Sequence, residues 1–194
     1  MKNNNVKERT RLSAADWELN ALDVIAESGV QSVAIESMAK KLNVTKGSFY
    51  WHFASRDALI TAALERWEQQ DILVMAADEI QDENAGNRLT KLFQLVSQEL
   101  PTHIVYSALF LSPDHPIVSP VLERVSKRRM QILGEAFSEM GMADKEARHR
   151  AMLAYTAYIG FLQLAKQLHG VHLRGDEFDE YMLHVIATLV PQNV

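Results

Sequence analysis

The sequence has no cysteine among its 194 residues. That excludes a disulfide framework, thiolate zinc ligation and a thiol nucleophile, and it fits a reducing compartment. Long hydrophobic runs are missing too. The most apolar stretch, "AMLAYTAYIGFLQLA" from Ala151 to Ala165, is broken by Thr156 and Gln163 and is too short to span a bilayer. The opening "MKNNNVKERTRLS" holds no apolar signal-peptide core. A soluble, cytoplasmic protein with no membrane partner is the expectation. Enzyme signatures are equally scarce. No G-x-x-x-x-G-K-[ST], no H-E-x-x-H and no nucleophile–base pair is present, so neither an enzyme nor a cofactor is expected. His169 and His172 flank Gly170 without an acidic or thiol partner at ligand spacing, which argues against a metal site.

Charge is modest but unevenly placed. The net charge is −5, yet residues 1–66 hold nine Lys and Arg against eight Asp and Glu, while residues 67–194 hold eleven against seventeen. The early basic residues gather in a flexible arm over 1–12 (Lys2, Lys7, Arg9, Arg11) and around Lys40, Lys41, Lys46 and Arg56. This asymmetry falls short of the strongly basic domain of many nucleic-acid binders.

What is present is helical periodicity, with no strand-like alternation and no repeat. Ser13 and Asp16 read as a capping box, Trp17, Ala21, Leu22 and Ile25 form one apolar face, and Gly29 closes the helix. Further helices are predicted over 35–42, 46–53, 56–81, 86–100, 103–111, 120–140, 145–169 and 177–190, making nine in an all-α chain. Thr45 and Ser55 are the N-cap candidates for the third and fourth, and Asp57 suits the positive end of the fourth.

The stretch "NVTKGSFYWHF" (Asn43–Phe53) carries four aromatic rings that no short helix can bury on one side. Ala39, Asn43, Val44 and Phe49 have the spacing of two short helices crossing at a tight turn, with Asn43 able to take the left-handed conformation. Phe49 and Phe53 are four apart and share the core face with Met38 and Leu42. Tyr50, Trp51 and His52 then point elsewhere, behind Lys46, Gly47 and Ser48. A hydroxyl, a lysine, a close-approach glycine and amphipathic rings at a helix start suit a DNA groove. The alternative is that these rings cover a neighbouring helix.

The block "SVAIESMAKKLNVTKGSFYWHFASRDALITAALERW" closely resembles the N-terminal DNA-binding domain of the TetR family of bacterial repressors. The likeness rests on Met38-Ala39, Val44 to Ser48, Tyr50-x-His52-Phe53 and Arg56-Asp57-x-Leu59, and covers about residues 13–68. It implies a three-helix helix-turn-helix DNA-binding domain (13–55), a linking helix (56–81) and a C-terminal helical effector-binding and dimerisation domain (82–194). It also implies a homodimeric repressor on a palindromic double-stranded DNA operator, released by a small molecule. An activator, or control by a protein partner, remains the alternative. By matching positions, Thr45, Tyr50, His52 and Arg56 are implied to meet phosphates, and Lys46, Gly47, Ser48 and Trp51 to lie near base edges. Ala34 stands where the family often has Thr or Ser, so a cap is lost there, and Ser37 is a weaker contact candidate.

In the second half, the helix around Ala151–Ala165 is apolar nearly all round and needs two apolar neighbours. One can be the domain core and the other a partner subunit, the alternative being that both lie inside a monomer. Phe178, Tyr181, Met182, Val185 and Leu189 form a seam that could join it there. An apolar or aromatic effector is expected among Phe93, Tyr106, Phe110, Met130, Phe137, Tyr155 and Phe161. His103 and His115 are its polar candidates, and the loop Ser112–Pro116 could serve as a wall. Lys127-Arg128-Arg129 reads as a solvated helix face.

Overall fold

Short polar side chains set where the first helices begin. Ser13 caps α1 (Ala14–Ser28) in a reciprocal capping box with Asp16, and Gly29, at φ 81°, ends it. A 3-10 turn (Val30–Ser32) leads to α2 (Ile35–Lys41), whose N-cap position, Ala34, offers no side-chain hydrogen bond. Asn43 adopts φ 55°, the left-handed turn expected of it, and the Val44 amide closes on the Ala39 carbonyl at 2.9 Å. α3 follows (Lys46–Phe49), then Ser55 caps α4 (Arg56–Met75) by accepting from the Ala58 amide. The rest is α5 (Ala85–Ser97), α6 (Pro101–Leu109), α7 (Val118–Glu139), α8 (Asp144–Gln167) and α9 (Asp176–Leu189).

This computed structural model describes residues 12–77, 80–97, 101–167 and 176–190. All regular structure among them is helical. The basic arm up to Arg11, together with His169 and His172, lies outside the described residues. No described helix is long and apolar enough to cross a membrane.

Several boundaries differ from expectation, α6 for instance lying two residues earlier at both ends. α3 stops at Phe49 rather than 53, because the His52 amide bonds to the Phe49 carbonyl and tightens the next turn into an i→i−3 bend. α4 ends at Met75 rather than 81. The sequence that follows carries four acids (Asp78, Glu79, Asp82 and Glu83), a composition that disfavours the C-terminal end of a longer helix. Ile80 is buried, and the Gln81 side chain donates to the Met75 carbonyl. α7 starts two residues early, with Pro120 inside its first turn, where no amide hydrogen is needed.

Two cores result. The first joins Trp17, Ala21 and Ile25 of α1, Met38 and Ala39 of α2, Phe49 and Phe53, and one face of α4 to Val105, Tyr106 and Leu109 of α6 and the start of α7. The second unites Leu89 and Phe93 of α5, Ala136 and Phe137 of α7, Ala147, Ala151 and Ala154 of α8, and Met182, Ile186 and Leu189 of α9. The helix-turn-helix therefore meets the C-terminal half twice, through α4 and through α1 against α6.

Of the Lys127–Arg129 run only Lys127 is exposed, so the run is not a solvated face as a whole. Arg129 is buried and ion-paired with Asp71, and Arg128 bridges Asp71 and Glu68, so the run ties α7 to α4. The α9 seam is corrected as well: Met182 and Leu189 are buried in the second core and Tyr181 and Val185 pack against it, because α9 covers its own subunit with that face.

Candidate nucleic-acid interface and effector cleft

The α2–turn–α3 unit is held from beneath. Phe49 is fully buried, edge-on to Trp17 at 5.3 Å and stacked on Phe53 at 5.7 Å. That anchoring turns the other side of α3 to solvent. Thr45, Lys46 and Gly47 are exposed, Ser48 and His52 half-buried, Tyr50 54% exposed and Trp51 81% exposed. Thr45 sits at the N-cap in extended backbone without a side-chain capping bond. A Cβ added at Gly47 would meet only Thr45 Oγ1 at 3.7 Å, and its φ is ordinary. The fold's own packing thus does not require glycine there.

The basic residues differ in their engagements. Lys46 is ion-paired with Glu36 across the turn, both side chains at the surface. The hydrogen bond between them holds the ammonium above the ordinary lysine range and the carboxyl below its own. Arg56 is turned inward: Nε donates to the Val33 carbonyl and NH2 to the Val30 carbonyl, both at 2.7 Å. Ser37 donates to the Ala34 carbonyl at 2.9 Å, so its hydroxyl hydrogen is engaged within the first turn of α2, a turn that has no side-chain cap.

In the C-terminal half a cavity of about 60 Å³ opens between α4, α5, α6, α7 and α8. Met75, Leu92, Phe93, Ile132, Leu133 and Ala154 supply its apolar wall, and His103, Arg129, Tyr155 and Tyr158 its polar one. Of the aromatic residues expected at an effector site, Phe93 and Tyr155 line it. Phe161 lines a smaller adjoining void of about 20 Å³ with Phe93 and Tyr181. Tyr106 lies behind the wall, fully buried, bonded to Tyr155 and stacked on Trp67. Phe110 packs edge-on to Tyr106, Phe137 is fully buried in the second core, and Met130 is half-buried; none of the three lines either cavity. The Ser112–Pro116 loop is not a wall either. His115 instead accepts from the Ile117 amide and helps start α7.

Arg129 and Tyr158 were not anticipated from the sequence. Arg129 donates to the Tyr158 hydroxyl at 2.7 Å, pairs with Asp71, and lies 4.2 Å over the Tyr106 ring. Tyr158 in turn lies 2.7 Å from His103 Nδ1. Burial, then the Arg129 charge, pushes His103 down to about 4, and burial pushes the Tyr158 phenol up to about 12. Among the described residues no cluster of His, Asp and Glu has the makings of a metal site.

Residues 20–63 match the family model described as bacterial regulatory proteins, tetR family. That segment, from α1 into α4, is similar to the TetR-family DNA-binding domain. YvdT, an HTH-type transcriptional regulator of Bacillus subtilis, is 40% identical to this chain over 45 residues, a match spanning 23% of each protein's length. The rest of the likeness is one of fold. A transcriptional regulator from Rhodococcus sp. Rha1 superposes with a TM-score of 0.72 at 19% identity, over 92% of this chain and 94% of that one. One from Saccharomonospora viridis, in complex with choline, gives 0.73 at 19% identity over 89% and 92%.

Proposed function

We propose that the chain is a ligand-responsive, cytoplasmic transcriptional repressor that binds a palindromic operator as a homodimer and is released by a small molecule. The observation that carries this is the outer face of α3. Lysine, glycine, hydroxyl and amphipathic rings stand at the surface on and just after a rigidly anchored helix, and apart from the Lys46–Glu36 ion pair and the edge contact of Tyr50 with Phe49 the chain's own packing does not account for them. Thr45, Tyr50 and His52 are placed to meet phosphates, and Lys46, Gly47, Ser48 and Trp51 to approach base edges. In this reading residues 13–55 read DNA, the stretch 56–81 links, and 82–194 bind effector and partner subunit.

Regulation follows from how α4 is tied at both ends. Its first residue, Arg56, grips the carbonyls of the turn before α2, and its last, Met75, lines the cleft. A molecule that widens the cleft shifts α4 against α7 and changes the spacing of the two recognition helices. The choline held by the Saccharomonospora viridis neighbour supports a small ligand in a protein of this fold. Control by a protein partner is the second reading, favoured by a cavity of about 60 Å³, well below the roughly 300–1,000 Å³ of typical ligand pockets.

Selecting bound sequences from random DNA tests the first claim. Inverted repeats with half-sites about one helical turn, roughly 34 Å, apart are expected, and selected sites without dyad symmetry would refute it. Linkage tests the second: saturating operator should weaken effector binding by the factor, about 5- to 150-fold, by which effector weakens operator binding. If every C-terminal ligand binds equally well with and without operator, the partner reading replaces it.

A further inference from the structure

The hydrogen-bond chain at the cleft fixes the state of one donor. A guanidinium only donates, so the Tyr158 oxygen must accept from Arg129 NH1. Tyr158 has one proton left, and it goes to His103 Nδ1 at 2.7 Å. A neutral imidazole that accepts on Nδ1 carries its hydrogen on Nε2. His103 is 6% exposed, and its Nε2 is buried without a hydrogen-bond partner. A buried N–H left unpaired is costly, and here it belongs to a residue that lines a cavity.

Charge narrows what can meet it. Behind the wall, Arg128 and Arg129 pair with Glu68 and Asp71, and Arg124 faces Glu65 as well as Glu68, so the linked charges balance. But the Arg129 guanidinium itself lines the cavity, with its Nε hydrogen likewise buried and unpaired. The remaining wall is almost wholly apolar. We propose that the cleft selects a small, mainly apolar molecule bearing an anionic oxygen, an aromatic or short-chain carboxylate or phenolate, whose oxygen accepts the Nε2 hydrogen of His103. The proposal rests on the effector reading of this cleft and adds the chemistry of its occupant. At about 60 Å³ the cavity is smaller than the roughly 150 Å³ that encloses a benzene, so entry widens it. Met75, unbranched and flexible, is the wall element that yields.

Benzoate, acetophenone and cumene are matched in size and shape but carry a carboxylate, a neutral carbonyl and no oxygen. Titration calorimetry on the full chain should rank them in that order, with benzoate at least about tenfold tighter than cumene, since only an acceptor satisfies the buried donor. His103→Phe should bring benzoate and cumene to within about twofold of each other, by loss of benzoate affinity. His103→Gln, which keeps an N–H, should restore the preference. Equal binding of benzoate and cumene, a preference that survives His103→Phe, or failure of benzoate to bind the wild-type chain would each overturn the proposal. Leu133→Trp separates the two levels. If it abolishes binding of all three while they show no preference, the cleft is the site and the acceptor rule falls. If benzoate binding survives it, the cleft itself is not the site.

Discussion

Gly47 separates folding from recognition more cleanly than any other residue of α3. A methyl group there meets ordinary van der Waals space and an unstrained backbone. Gly47→Ala should leave stability unchanged or raise it by up to about 1 kcal/mol, the helix-propensity gain. It should nevertheless weaken operator binding, since the methyl projects from the exposed side of α3. Urea unfolding and a gel-shift titration on one sample check both halves, and unaltered DNA affinity would remove Gly47 from the interface. Arg56 is the opposite case. Its two carbonyl hydrogen bonds staple α4 to the segment ahead of α2, so Arg56→Ala should cost roughly 1.5–3 kcal/mol of stability. A stable Arg56→Ala protein with weak DNA binding and a flatter salt dependence would return it to the phosphates. The motif from Thr45 to His52 and the left-handed Asn43 were legible because local spacing dictates them. Arg56's partners were not, because they belong to a 3-10 turn that no sequence signal announces. Of the polar wall of the cleft, His103 and Tyr155 were candidates but Arg129 and Tyr158 were not: Tyr158 reaches Arg129 across 29 residues of chain and His103 across 55. A lone histidine on an apolar helix carries no spacing that would point to either.

At the scale of helices, the α4–α7 contact is built on charge. Glu68 accepts from Arg124 at 2.7 Å and from Arg128 at 3.1 Å; burial raises its pKa, but these bonds outweigh it and hold the carboxyl below its ordinary value. Asp71, 1% exposed, lies against Arg128 and Arg129. Breaking one side of such a pair strands a buried charge, so Arg129→Met alone should cost about 3–5 kcal/mol, whereas Asp71→Leu with Arg129→Met should recover much of it. A double-mutant cycle in urea measures the difference; simple additivity of the two losses would mean that the charges do not act as a pair. The same region sets a pH dependence. His103 faces Arg129 and Asp71 and titrates at about 4, against 6.5 for an ordinary histidine. Between those values the unfolded chain binds a proton that the folded chain refuses, so stability must fall as pH drops from 7 toward 4. The full loss is roughly 3 kcal/mol at 1.36 kcal/mol per unit. Urea midpoints at pH 7, 6 and 5 should decline in the wild-type chain and decline less in His103→Gln; parallel declines would show that His103 is not the group responsible. The helices themselves were legible because each carries strong apolar periodicity. Their ends were less so, since α4 stops without a glycine or proline to mark it. The 127–129 run was misread because two acids on a distant helix decide whether arginines face water.

Whole-molecule assembly turns on which apolar faces the chain leaves uncovered. On α8, Met152, Leu153 and Leu164 are 52%, 57% and 49% exposed, and Thr156, Ala157 and Gly160 complete the same stripe. On α9, Leu183 is 64% exposed beside Ala187. A Cβ at Gly160 would meet nothing within 4 Å, so that glycine leaves room for a close approach from outside. The apolar character of α8 on every side was plain from the sequence. The outward side of α9 was not, because Tyr181, Met182 and Leu189 make an equally good seam and were taken by the chain's own core. In the homodimer proposed above, a second copy related by a two-fold axis would cover both stripes at once and set two α3 helices on one side of the assembly. Leu153→Glu combined with Leu183→Glu places charges at the centre of that contact while touching no buried residue. The double variant should sediment as a monomer with unchanged helical circular dichroism. It should bind a single half-site as the isolated wild-type subunit does, but lose on the order of 10²–10⁴-fold in affinity for the full palindrome, because the second half-site is no longer engaged intramolecularly. A double variant that remains dimeric would move the interface off these two stripes. One that is monomeric yet still binds the palindrome at wild-type affinity would show that the two recognition helices are not coupled through α8 and α9.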